Sequence, residues 1–454
     1  MQEKDRALDR RNFLKFGAAG LGVAALGSAL NRSTPKAPLT APAKLFTAPP
    51  LEKVRIGFVG VGGMGTAHLH NLVRIKGAEI RAVCDLFPER VERAQRIVER
   101  AGFAKPDGYA NGERDFENLC ARDDLDLVYT ATPWEWHVPV CLAAMKNGKH
   151  AATEVPAALT LDECWQLVAT SEATERYCIM MENCCYDREE MMILNMVRQG
   201  VLGELLHAEC GYLHDLRALK FDFEGKGEAL WRTAHSIKRN ANLYPTHGLG
   251  PVAQCMNINR GDQFDYLVSV SCLSRGLNLF AEKKYGPDSE WARRTYALGD
   301  VNTSIIKTKL GRSIIVIHDC STPRPYSRIN QVQGTNGIAQ KWPNRIYIEE
   351  VSPPDEWEEL EKYYPQYEHP LWSAKAEEAR GAGHGGMDYI EDYRLIRCLL
   401  DGAPPDMDVY DAASWSAVTP LSEMSVANRG RSVDFPDFTR GAWQTRAPLG
   451  IVEG

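Results

Sequence analysis

The run Val54–Asp85, VRIGFVGVGGMGTAHLHNLVRIKGAEIRAVCD, constrains the fold more than any other part of the chain. Val54–Val59 is an apolar run of the kind that forms a buried parallel strand. Gly60, Gly62 and Gly65 follow as G-x-G-x-x-G, and a helical stretch comes next. A second strand, Ile80–Cys84, ends at Asp85, twenty residues beyond Gly65. Each part has a physical task. The first glycine permits a tight turn, and the second lets backbone N–H groups approach a pyrophosphate. The third lets helix and strand pack closely, and the helix N-terminus faces the anion. Asp85 would accept hydrogen bonds from ribose hydroxyls and repel a 2′-phosphate, so the pattern predicts NAD in preference to NADP. A glycine triplet alone more often marks a turn. Strand, helix, second strand and acid in register make the difference.

Residues 9–15 read DRRNFLK, and Phe16–Leu30 is an uncharged Gly/Ala/Leu run, too short to span a bilayer comfortably. Paired arginines before such a run resemble the twin-arginine export signal of bacteria. That implies a partner in the export machinery and a periplasmic or extracytoplasmic location. A membrane anchor or a disordered basic tail is the rival reading. Residues 31–50 are rich in Pro, Ala and Thr and read as a linker, so 1–50 is set apart from the fold. Export of a folded chain also suits the cysteines. There are twelve, scattered, with no C-x-x-C and no His/Cys cluster at zinc spacing. They read as buried thiols of a chain that folds in a reducing compartment, and no metal is expected.

The 454 residues suffice for two domains after a leader. The net charge of −7, with no basic stripe, argues against nucleic-acid binding. From 54 to about 180, strands (Leu125–Thr130, His150–Glu154, Tyr177–Met181) alternate with helices (Cys141–Asn147, Leu161–Thr174), as in a doubly wound parallel sheet. After Asn183 the texture changes. A helix at Glu189–Gln199 precedes strands at Leu205–Tyr212, Tyr266–Leu273, Asn302–Lys309, Ser313–Asp319 and Ile329–Gly334. Fewer helices intervene, which predicts an open, largely antiparallel sheet. Glu350–Gly386 reads as a polar surface segment, Met387–Leu400 as a helix and Asp411–Asn428 as a helix returning to the core. The expected fold is α/β: an N-terminal Rossmann domain (51–182) and a C-terminal α+β domain (183–454) for substrate and oligomerisation.

An NAD-binding sheet followed by such a sheet resembles the Gfo/Idh/MocA sugar oxidoreductases. Usual members carry Glu-Lys-Pro after the fifth strand, the lysine assisting proton transfer. Here the place reads Glu154-Val155-Pro156, so that lysine is missing. A substitute is expected in NLYPTHGLGP (242–251), where Tyr244 and His247 are three apart and would share one side of a helical turn opening after Pro245. Histidine is the natural proton acceptor near neutrality, and a neighbouring tyrosine can shuttle or orient a proton. A structural histidine beside a turn is the bland alternative.

The set WEWH (134–137), EVP (154–156), ENCCY (182–186), WR (231–232) and NLYPTHGLGP resembles glycoside hydrolase family 109 over essentially the whole chain. This is the NAD-dependent branch associated with α-N-acetylgalactosaminidase activity. The resemblance implies that Gly63–Met64, Asp85, Trp134, Glu135, Trp136, His137, Glu154, Val155 and Asn183 contact NAD. It implies sugar contacts from Tyr212, Arg232, Tyr244, Pro245, Thr246, His247 and Tyr326. His247 and Tyr244 are the catalytic candidates, with roles that are interchangeable at this point. Trp134 and Trp136 could instead be core aromatics, Asn183 a helix cap and Arg232 a surface charge. The implied reaction oxidises C3, eliminates across C1–C2, adds water and re-reduces C3, with retention. The alternatives are a net sugar 3-dehydrogenase and a non-catalytic NAD-binding sensor. A glycan substrate and a homo-oligomer complete the expectation.

Overall fold

The computed structural model describes residues 43–223 and 229–451. The arginine pair and the apolar run of the proposed export signal lie outside these residues. The first sheet is wholly parallel. Its strands are β1 (Val54–Val59), β2 (Ala78–Cys84), β3 (Asp107–Tyr109), β4 (Leu127–Thr130), β5 (His150–Thr153) and β6 (Cys178–Met180), in the order β3-β2-β1-β4-β5-β6. The order reverses beside β1, which is where a doubly wound sheet opens a crevice for a ligand.

The second sheet has β7 (Leu205–Leu213), β8 (Phe264–Ser271), β9 (Val301–Thr308), β10 (Ser313–Asp319), β11 (Gln331–Gly334), β12 (Gly337–Gln340), β13 (Arg345–Ile348) and β14 (Val433–Asp434). They run β13-β12-β11-β7-β10-β9-β8-β14 and are antiparallel except where β7 lies parallel to β10. One face is packed on helices. On the other, Val268, Ile305 and Ile315 form one cross-strand row, and Val270, Thr303 and Ile317 the next. Val270 and Ile305 are exposed there.

Several sequence expectations need correction. Phe46 stacks on Tyr177 at 5.2 Å and Ala48 N–H donates to Tyr177 Oη at 2.8 Å, so the end of the presumed linker docks on the fold. Left-handed φ at Ile329 and Asn330 delays β11 to Gln331. The return to the core is two helices, Val409–Ser416 and Val418–Ala427. The segment 350–386 is not merely surface: it carries the helix Pro370–Ala379, whose Trp372 is buried and donates from Nε1 to Tyr186 O at 2.8 Å.

The helix Thr246–Cys255 carries His247. Its glycines let it press on β7. A Cβ on Gly248 would lie 2.3 Å from Gly211 N, and one on Gly250 would lie 2.9 Å from Cys185 Sγ and Trp415. The helix therefore meets β7 at backbone distance and packs closely on the segment just past β6 and on Trp415. Gly248→Ala is expected to cost about 1–3 kcal/mol, as overpacking a closed interior does. Urea denaturation measures this directly, and an unchanged midpoint would show that the contact is not tight.

Candidate active site

The loop after β1 meets the demands of a pyrophosphate. Gly60 has φ +86°, and a Cβ on Gly65 would sit 2.0 Å from Gly60 O, so both positions require glycine. Above Gly63 there is open space. The helix Gly63–Leu72 begins with Gly62 as its N-cap, with no side-chain cap and no acid in its first turn. Its first N–H groups are thus left for an anion, and Met64 follows in the same turn. Asp85 ends β2 beneath this loop. Its Oδ2 accepts from Val61 N–H at 3.0 Å and its Oδ1 from Phe87 N–H at 3.1 Å, with Arg90 Nη1 3.6 Å away. A ribose would share the remaining lone pairs of this carboxylate. Loop, helix and acid together fit a dinucleotide.

The residues of the WEWH stretch separate. The Trp134 ring stacks on Tyr244 at 5.5 Å and lies under the Arg232 guanidinium at 5.0 Å. Trp136 packs edge-on against Phe116. Glu135 Oε1 lies 3.1 Å from His235 Nε2; burial would raise this carboxyl, but His235 holds it below its ordinary value. The His137 ring nitrogens lie 2.8 Å from Pro156 O and 2.9 Å from Thr132 O. Asn183 opens a short turn and donates through Nδ2 to Asp388 Oδ1 at 2.7 Å. Val155 is buried, and its N–H donates to Glu154 Oε2 at 3.2 Å.

Five residues expected around the sugar come together. Tyr212 and Tyr244 rings are 4.7 Å apart, and His247 lies 5.3 Å from the first and 4.7 Å from the second. Arg232 caps Tyr244 at 5.1 Å, and Tyr326 closes edge-on against Tyr212 at 6.1 Å. Arg328 Nη1 donates to Tyr326 Oη at 2.9 Å while its other nitrogens bind Glu190 and Asp187, which locks that tyrosine. Pro245 and Thr246 form the start of the His247 helix, and Thr246 is fully buried.

Sequence reading missed three key side chains. Glu182, fully buried just past β6, accepts from His247 Nδ1 at 2.7 Å. Burial alone would raise this carboxyl, but His247, Thr246 and Cys184 N–H outweigh it and hold it below its ordinary value. His214, just past β7, meets Tyr212 Oη at 3.0 Å. His68, on the helix after the glycine loop, joins Asp392 (Nδ1, 2.9 Å) to Glu154 (Nε2, 2.7 Å). Only ENCCY pointed toward the first; nothing in local spacing pairs residues 182 with 247 or 68 with 392. The donor atoms of Glu182, Cys184 and His247 also lie within 4.8 Å of one another, a juxtaposition that linear spacing conceals. In this arrangement Glu182 and His247 bond each other, and Cys184 Sγ donates to Asn183 Oδ1. All twelve cysteines are unpaired, and all but Cys272 are buried.

Comparison with known proteins follows this geometry. Residues 54–182 match the oxidoreductase family with an NAD-binding Rossmann fold, so the fold and loop define an NAD-dependent protein of the Gfo/Idh/MocA class. The chain has the fold of an inositol dehydrogenase homolog complexed with NAD⁺ from Azotobacter vinelandii (TM-score 0.63, 20% identity, covering 86% of this chain and 99% of that one). It has equally the fold of a levoglucosan dehydrogenase in complex with NADH and levoglucosan (TM-score 0.66, 19% identity, 85% and 100%). Residues 186–445 match the C-terminal domain of glycosyl hydrolase 109. Family 109 proteins of Shewanella pealeana and Shewanella amazonensis are 48% and 49% identical, each over 98% of this chain and 99% of its relative. The protein belongs to glycosyl hydrolase family 109: it is an enzyme of glycosidase or dehydrogenase type with NAD as its cofactor.

The His68 cluster carries a pH dependence. Burial works against the imidazolium, but Asp392 and Glu154 outweigh it and raise the pKa well above its ordinary value. A pKa raised in the folded state gives stability that is complete below the unfolded value of about 6.5 and is lost as pH climbs through the folded value. His68→Gln is expected to cost about 3 kcal/mol near pH 6, with the gap to wild type narrowing as pH rises into the alkaline range. Denaturation across that range checks it; a gap that widens with pH contradicts the buried ion pair.

Proposed function

We propose that the enzyme hydrolyses terminal α-N-acetylgalactosaminides with retention, through a redox-neutral cycle at C3. The observation that carries this reading is the Glu182–His247 pair set against the Tyr212, Tyr244 and Arg232 cluster. Ordinary glycosidases flank the bond with two carboxylates, whereas NAD-dependent ones are exceptions. Here the polar groups facing the cluster are a histidine, three tyrosines and an arginine, which suits proton transfer to and from hydroxyls and carbon acids. Bound NAD supplies a hydride acceptor for C3 and returns the hydride at the end of the cycle.

The protein's residues do the rest. Glu182 accepts the Nδ1 proton, which leaves His247 Nε2 as the basic nitrogen; among the described residues no side chain bonds it. His247 then takes the O3 proton as C3 is oxidised. Burial keeps the Tyr244 hydroxyl protonated, well above its ordinary pKa, so Tyr244 holds the sugar and is not an ionised base. Arg232 and Tyr326 orient the ring. The 3-keto group acidifies C2–H, and loss of that proton expels the C1 substituent before water adds.

Two further parts belong to this proposal. The arginine pair and following apolar run support export, where an enzyme that regenerates its cofactor would outlast one that releases NADH. The apolar rows on the outer face of the second sheet support a homo-oligomer. The rival reading is a net sugar 3-dehydrogenase, favoured by the dehydrogenase activities named for the structural neighbours.

Rapid mixing with an aryl α-N-acetylgalactosaminide tests the reading. Absorbance of reduced nicotinamide should rise and return to baseline as phenol is released; steady accumulation with a ketosugar product supports the rival. Glu182→Gln should lower kcat by about 10²-fold or more while bound NAD is retained, because the histidine loses its orienting charge. A variant with wild-type kcat would remove the pair from the mechanism.

A further inference from the structure

The proposed cycle requires two proton acceptors at neighbouring positions, O3–H and C2–H. One histidine cannot serve both in sequence, since it is protonated after the first transfer. Tyr244 is the obvious second group, yet among the described residues no side chain accepts a hydrogen bond from its hydroxyl. Tyr212 differs. Its Oη lies 3.0 Å from His214 Nδ1, and its ring touches those of both Tyr244 and His247. The pair is rigidly mounted. Tyr212 belongs to β7, His214 N–H donates to Asp319 O at 2.9 Å, and the Tyr326 ring stands edge-on to His214 at 4.9 Å.

We propose that His214 is a positioning residue that aligns the Tyr212 hydroxyl as the proton-transfer group at C2. The assignment rests on the glycosidase reading above. The groups around His214 agree with it. Burial and the charges of Arg232, His247 and His384 disfavour the imidazolium, with only Asp215 opposing them. A neutral ring can accept the Tyr212 O–H through Nδ1. In the elimination the C2–H bond breaks and its electron pair becomes the C1–C2 double bond. The C1–O pair leaves with the aglycone oxygen, which takes a proton from water. The C2 proton passes to Tyr212 Oη as the hydroxyl's own proton moves to His214 Nδ1. The hydroxide left from that water adds at C1, and the proton returns to C2 by the same route. His214 is only half-buried, so this proton can exchange with solvent.

The test measures two steps in one NAD-loaded protein: hydride transfer on mixing with N-acetylgalactosamine, from nicotinamide absorbance, and exchange of the C2 proton in D₂O. In His214→Ala the ratio of exchange to hydride transfer should fall about 10²-fold. Tyr212→Phe should do the same, and the double variant should be no worse than Tyr212→Phe alone. Nitrogen-15 NMR of the wild-type imidazole should show Nδ1 unprotonated at neutral pH, independently of turnover. A structural role lowers both steps together, so an unchanged ratio, or a protonated Nδ1, overturns the assignment alone. If wild type transfers no hydride from the sugar, the glycosidase reading falls and the assignment with it. Should His214→Ala not fold, His214→Gln provides the same ratio.

Discussion

The bond between Glu182 and His247 is the constraint on which the site depends. Glu182 stands just past the last strand of the parallel sheet, and His247 opens a helix laid on the second sheet. A 2.7 Å contact between them requires that helix to press on β7 while it reaches the segment just past β6. Gly248 against Gly211, and Gly250 against Cys185 and Glu182, make the approach possible. These two glycines thus help to set where the His247 imidazole stands. Interior packing transmits such a constraint because close-packed layers have little slack.

The charges around this bond are divided. On the cofactor side His68, Asp392 and Glu154 form a buried chain that ties the glycine-loop helix to the helix Met387–Asp401. On the sugar side Arg232 lies over three aromatic rings. The ketone and enolate-like transition state of the proposed cycle would develop negative charge, which a guanidinium held in place stabilises more than bulk solvent does. The same cation helps to keep His214 neutral. In the proposed cycle one arginine would serve substrate orientation, charge stabilisation and the protonation state of a neighbour.

The parallel sheet was legible because it is local: its central strands are short apolar runs and the turn after β1 carries its own glycines, and the helix Leu161–Thr174 matches its reading residue for residue. The second sheet was legible in type but less so in edge. Short strands such as β12 and β14 have no periodicity of their own and exist through their neighbours. Arg232, Tyr244 and His247 could be named through motifs, and Tyr212 and Tyr326 through the family resemblance. Glu182, His214 and His68 could not, because each acts through a partner that the fold, and not the spacing, supplies. Trp134 was read from its place after a strand, which does not reveal that its ring stacks on Tyr244.

The central claim is that bond cleavage passes through loss of the C2 proton. Hydrolysis of an aryl α-N-acetylgalactosaminide in D₂O, followed by mass and NMR analysis of the released sugar, addresses it most directly. The account predicts deuterium at C2 of the product, with the α configuration retained. Product carrying only protium at C2, released at full rate, would contradict it and indicate direct displacement at C1.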